Sequence, residues 1–346
     1  APQTRTVHGR SVEFTQLNKW YESRKPSLVV SGIAGCGKTT LVSHWLNARI
    51  DSEPNLRVMY YPCQPWDTEI GIATSILHRL GIESKGSLQW DPYKILESLP
   101  MNAGGKFDVD MYRRRLTAYL TDPEKLREKV FEKLEDKSET PPYILLVIDD
   151  VHNVENDSSH LLGALLQIAD QTPLRTLLIS RTSLSFYDRR DVHTRGLVEE
   201  LPLRGLTIEE VEEWIDKFES PSPPVAEEVH RVTGGHPLAV ELLEMYGDVV
   251  HGDWLRFLDE EIIDVIPADH RELLALLAVA EQPVEWAILA DLAGLEGTPP
   301  EDLISRGIIV ELADGLWLHE AMRERLLREV GPSMDERRIT LSDAMS

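Results

Sequence analysis

Apolar and polar positions follow two rhythms along this chain. Over about the first two hundred residues, short β-branched runs alternate with stretches whose apolar residues recur three and four apart. That alternation predicts strands and helices arranged around a parallel sheet. Residues 27–31 (SLVVS) predict a strand closed by a glycine-rich stretch, and a helical pattern begins at Lys38 with Leu41, Trp45 and Leu46 at core spacing. A second strand is expected at 56–61 (LRVMYY), and amphipathic helices at 70–80, 111–120 and 123–137, with a surface excursion around 102–110. The continuous apolar runs 143–148 (YILLVI) and 174–180 (LRTLLIS) fit central strands buried on both faces. A last strand is expected at 197–203.

Beyond Leu203 the helical period takes over. Thr207 and Glu210 form a capping-box signature for a helix over 208–218. SPSPP at 220–224 breaks it, and the next helix runs from Pro224 or Val225 to Gly234-Gly235. Pro237 sits in the first turn leading into 238–246, and another helix is expected at 253–263. After Asp269 come helices, a hairpin of 308–311 and 316–318 turning at Asp314-Gly315, and a closing helix. Helices closed by a two-stranded wing make a winged-helix arrangement. The expected fold class is therefore α/β, a parallel sheet flanked by helices, followed by a small helical domain and a winged-helix domain. The expected divisions are 1–204, 205–262 and 263–331, with 332–346 as a linker.

Charge narrows the functional classes. With 36 Lys plus Arg against 59 Asp plus Glu, the net charge is −23, which disfavours broad non-specific nucleic-acid binding. The two cysteines, Cys36 and Cys63, cannot build a disulfide framework. No apolar run approaches the ~20 residues of a membrane helix, and the N-terminus lacks the apolar core of a signal peptide. A cytoplasmic protein without membrane contact is expected. The start without Met and the bare end at LSDAMS suggest a piece excised from something longer.

The strongest chemical signal is the run from Gly32 to Thr39 (GIAGCGKT), which fits G-x-x-x-x-G-K-[ST] at every fixed position, between a strand and a helix. Gly32, Gly35, Cys36 and Gly37 would turn backbone N–H groups toward phosphate oxygens at a helix N-terminus. Lys38 would add charge at the β- and γ-phosphates, Thr39 would coordinate Mg²⁺, and Thr40 would touch the α-phosphate. Cys36 otherwise serves as a spacer. At the end of YILLVIDD, Asp149 and Asp150 stand where ligands bind in open parallel sheets. Asp149 reads as a second Mg²⁺ group and Asp150 as the base or water-orienting group of hydrolysis, or else as a loop cap. Arg181, after LRTLLIS, reads either as a γ-phosphate partner or as a solvated surface arginine. Gly235-His236-Pro237 is on its own a helix-start signal, while Trp45, Trp214, Trp254 and Trp286 sit among apolar residues as core.

Taken in order, these features resemble a STAND-class P-loop ATPase, the group holding the NACHT and NB-ARC switches. Val7-His8-Gly9-Arg10 with Glu13 is similar to the family's adenine-side motif hhGRExE, with Ser11 in place of the first glutamate. The resemblance implies that Val7, Gly9 and Arg10 contact nucleotide and that Arg181 matches a sensor arginine. It implies also that Pro237 closes on the nucleotide from the helical domain, and that His319, after Trp317-Leu318, reaches the β-phosphate of ADP from the winged helix. Without the resemblance His319 is equally a capping or core-edge histidine.

The implied function is a nucleotide-gated signalling switch that binds ATP or ADP with Mg²⁺ and hydrolyses ATP slowly. Its protein partner or self-association would act through modules absent from this chain. The alternative is an AAA+-type DNA-associated ATPase whose winged helix binds DNA. Between Ile263 and Val330 the chain carries 14 acidic residues against 5 arginines and no lysine, a poor complement to phosphate backbones. Nucleic acid is therefore an unlikely partner on sequence grounds.

Overall fold

The computed structural model describes residues 6–23, 25–53, 55–80, 99–122, 143–182, 184–218, 224–246, 270–305, 308–312, 315–318, 323, 326–327 and 334–345. The helices expected at 123–137 and 253–263, the Pro-rich break and His319 lie outside the described residues. The α/β part runs α1 (Ser11–Ser23), β1 (Ser27–Ser31), α2 (Lys38–Ser52), β2 (Leu56–Pro62), α3 (Glu69–Arg79), α4 (Val109–Leu120), β3 (Tyr143–Asp149), α5 (Glu155–Gln171), β4 (Leu174–Ser180), α6 (Arg189–His193) and β5 (Val198–Pro202). The five strands are parallel in the order β2-β3-β4-β1-β5.

Burial explains that order. The runs SLVVS, YILLVID and LRTLLIS are buried almost throughout and take the three central places. The outer strands β2 and β5 are more open, with only Met59 buried in the first and Val198 and Leu201 in the second, as suits strands with one unpaired edge. Side chains alternate across the sheet. Ile144, Leu146 and Ile148 face a core with Ile76, Tyr112 and Leu161, whereas Leu145 and Val147 face one with Trp20, Leu41 and Trp45. Three helices in this part have no counterpart in the predicted elements: α1, α5 and the short α6. The longest, α5, buries Leu161, Leu162, Leu165 and Ile168 against the first of those cores.

Helices α7 (Ile208–Ile215), α8 (Ala226–Thr233) and α9 (Pro237–Tyr246) follow, and Val211, Trp214, Val229, Val240 and Leu243 form their core. The Thr207–Glu210 capping box is present. Next come α10 (Arg271–Val279), α11 (Trp286–Ala293), α12 (Glu301–Ser305) and the antiparallel pair β6 (Ile309–Leu312) and β7 (Gly315–Leu318). Gly315 pairs with Leu312 in the hairpin ladder. The closing stretch, expected as a linker, carries a helix. It forms α13 (Met334–Ala344), with Leu341 buried and Arg337 donating from Nε and Nη2 to the two oxygens of Glu272, each at 2.8 Å. A bidentate fork and a buried leucine hold this helix on α10.

Candidate nucleotide site

A cleft of about 900 Å³ opens at the carboxyl end of β1, between the sheet and helices α7 and α9. Its floor is the N-terminus of α2. Gly37, at φ 89°, caps that helix with no side-chain hydrogen bond, so the first N–H groups face the cleft. Gly35, Cys36, Gly37, Lys38, Thr39 and Thr40 all line it. The Lys38 ammonium, 7% exposed, donates to the carbonyls of Gly32 at 2.8 Å and Ile33 at 2.9 Å. Gly32 supports the loop from behind and does not reach the cleft wall.

Strand β4 lies between β1 and β3, so the loop and the acidic strand end meet across one intervening strand. The Thr39 hydroxyl nevertheless donates to Asp149 Oδ2 at 2.8 Å. Asp149 is 4% exposed, and its other oxygen accepts the Asp150 N–H at 2.9 Å. The Tyr60 hydroxyl, from β2, donates to the same Oδ2. Burial first, and then that bond to Asp149, pushes the Tyr60 phenol far above its ordinary range, so it acts as a donor only. Nothing in the pattern LRVMYY singled out Tyr60; the contact needs the pairing of β2 with β3. Asp150 adopts a left-handed conformation at φ 53°, and its carboxylate lies 4.0 Å from Arg181 Nε. Both line the cleft and are about two-fifths exposed.

The opposite wall contains Pro237, Leu238, Glu241 and Glu244 of α9, and Trp214 of α7. Trp214 is thus both core and wall. His8 stacks on it with ring centroids 4.0 Å apart and planes 4° from parallel, while Trp214 Nε1 donates to Glu244 at 2.9 Å. Burial chiefly, with the Lys217 charge second, holds the His8 pKa below the ordinary histidine value. Val7 lines the cleft beside it. Gly9 instead lies against Glu210, and Arg10 spends its donors on Glu13 at 2.8 Å, the Arg204 carbonyl at 2.7 Å and the Cys36 carbonyl at 3.1 Å. Arg10 therefore braces the phosphate loop while also lining the cleft.

Lys38 offers a cation, the α2 terminus offers N–H donors, and Thr39 with Asp149 offers oxygen ligands of the kind a hard divalent ion takes. Among the described residues no group of three or more His, Cys, Asp or Glu could hold a metal by itself. Mg²⁺ shares its coordination with substrate phosphates. The AAA ATPase domain family matches residues 6–179, just over half of the 346-residue chain. The chain belongs to that family. It is a nucleotide-binding P-loop ATPase of the AAA type, and the match spans the loop, Asp149 and Asp150.

Solved structures similar to this ATPase include a STAND protein with a tetratricopeptide repeat sensor from Pyrococcus horikoshii, at 19% identity and a TM-score of 0.48, over 99% of this chain and 46% of that one. The chain spans less than half the length of that protein. The ORC2 protein of Aeropyrum pernix is similar at 12% identity and a TM-score of 0.47, over 99% and 95% of the two chains. The RuvB Holliday junction branch migration motor of Thermotoga maritima is similar at 16% and 0.35, over 92% and 95%. No curated protein matches the sequence. Among the described residues no helix is long and apolar enough to cross a membrane.

Proposed function

We propose that this ATPase is the nucleotide-gated switch of a regulatory protein, built as an α/β unit (1–204), a helical unit (205–262) and a winged-helix unit (263–331). One contact carries the proposal: His236 Nε2, immediately before Pro237 and 1% exposed, donates to the Ala34 carbonyl at 2.9 Å. The phosphate loop is thereby gripped by the segment that would close over a nucleotide. A ligand that reshapes the loop changes the grip, and it shifts the closed state only by its differential affinity for the two arrangements.

In this reading the α2 terminus and Lys38 hold the phosphates, Thr39 and Asp149 hold Mg²⁺, and Val7 with Pro237 contacts the base and ribose side. Mg²⁺ supplies charge neutralisation at the phosphates. Asp150 orients the attacking water and takes its proton, and Arg181 offsets charge on the phosphoryl group. Thr40, which lines the cleft, would touch the α-phosphate. His319 completes the closure over ADP from the winged helix. Partner proteins, or further copies of the chain, would read the open form.

The net charge of −9 between Ile263 and Val330 supports a lid over a DNA reader. Two measurements test the choice: the nucleotide that co-purifies, and a gel shift on duplex DNA over a salt series. Retained ADP and no duplex shift are expected. Tight, salt-sensitive duplex binding would overturn the switch in favour of a DNA-associated ATPase.

A further inference from the structure

The phosphate loop is held by more than its own glycines. Its carbonyls at Gly32 and Ile33 accept from Lys38, that of Ala34 from His236, and that of Cys36 from Arg10. Ile33 adds an apolar hold. Its side chain packs against the core of the α/β unit, with Leu28, Val30 and Leu41, and also against a second cluster. That second cluster runs from Ala239 of α9 through Leu273 and Leu277 of α10 to Leu318 of β7. Among the described residues, no other apolar side chain packs against both.

We infer that Ile33 is the positioning residue through which the state of the phosphate loop reaches the winged-helix unit, a role that rests on the switch proposed above. The Ile33 peptide is tied at both ends of this relay. Its carbonyl accepts from the ammonium that would serve the phosphates, and its side chain sits against a close-packed core. When Lys38 turns toward a phosphate, the Ile33 carbonyl keeps only the Cys36 N–H, at 3.3 Å, and the peptide is held less firmly. Packed interiors resist gradual deformation, so the wedge displaces its neighbours and the motion is passed on. The loop position needs only a side chain large enough to bridge the two clusters. Ala is too short for that, and Val keeps most of the contact.

Hydrogen exchange on the full chain tests this, with and without saturating Mg-ADP, at the loop (32–40) and at α10 (271–279). Saturation makes the comparison independent of affinity. In the unmodified chain both segments change with nucleotide. In I33A the change at α10 shrinks about threefold or more while the loop keeps its response, and I33V retains both. An undiminished α10 response in I33A overturns the inference. So does loss of the loop response together with it, because Ile33 would then serve only the shape of the loop. If the unmodified chain responds at the loop but not at α10, the switch itself fails and this role falls with it.

Discussion

The Tyr60 hydroxyl donates to Asp149 Oδ2, the carboxylate oxygen that also accepts from Thr39. Two hydroxyls on one oxygen set the orientation of a buried carboxylate whose other oxygen is pinned by the Asp150 N–H. Such outer partners fix a metal ligand's direction and basicity, and losing one typically costs about tenfold or more in metal affinity or activity. Replacement of Tyr60 by Phe removes the donor and keeps the ring. The expected result is a rise of about tenfold in the Mg²⁺ concentration needed for half-maximal phosphate release, with nucleotide binding in the absence of metal unchanged. An unaltered Mg²⁺ titration would show that Thr39 and the Asp150 N–H suffice to orient Asp149.

Asp150 occupies left-handed backbone space at φ 53°. Asn tolerates that conformation nearly as well as Asp, so D150N changes the chemistry and leaves the turn in place. Phosphate release should fall by roughly 10²- to 10⁴-fold, the range of a lost general base, while fluorescent ADP still binds. Full hydrolysis by D150N would make Asp150 a turn residue and leave the water without an assigned base.

The His8–Trp214 stack makes closure sensitive to mild acid. The neutral imidazole is the form favoured by burial, which lowers its pKa from the ordinary 6.5. Its contribution to stability is therefore complete above that value and is lost as the pH falls through the lower folded pKa. H8F keeps an aromatic ring against Trp214 and cannot protonate. Melting temperatures between about pH 8 and about pH 5 should fall more for the native chain than for H8F. Equal losses in the two chains would remove His8 from the acid response.

Gly235 adopts φ +70°, and a Cβ there would come within 2.0 Å of the Leu206 carbonyl. Its own carbonyl accepts from Leu206 N at 2.8 Å, so the close approach joins the start of the helical unit to the turn before Pro237. The left-handed conformation alone costs a non-glycine residue about 1–2 kcal/mol, and the clash adds to it. G235A should lower stability by at least about 2 kcal/mol in a denaturant titration and weaken ADP retention. Retention equal to that of the native chain would show that this turn does not govern closure.

The strands and the phosphate loop were legible from residues alone because both depend on local signals. YILLVI and LRTLLIS declare central strands by their continuous apolar runs and SLVVS a strand by its β-branched run, and their observed positions match to within a residue. The loop declares itself because only glycines at fixed spacing allow backbone N–H groups to converge at a helix start. Helix α5 was harder to see. Its apolar stripe is interrupted by Ser158, His160 and Gly163, and its identity rests on packing against a sheet that must already exist.

By itself, then, the sequence determined the kind of fold and the chemistry of the floor of the site: a parallel sheet, a phosphate loop, and two acids at a strand end. What tertiary structure decided was the company these residues keep. Strand order placed β4 between the loop and Asp149 and brought Tyr60 to that carboxylate. Packing of the helical unit made Trp214, still a core residue, a cleft wall stacked on His8 as well, and it set His236 and Ile33 as the loop's outer holds. Arg10, which lines the cleft, also braces the loop, because Glu13 and two carbonyls lie within reach of its guanidinium. Periodicity and spacing record what a residue does with its own segment. Contacts between residues about two hundred positions apart arise only when separate segments bury their apolar faces together, and no local pattern encodes which polar groups that burial brings within hydrogen-bond distance.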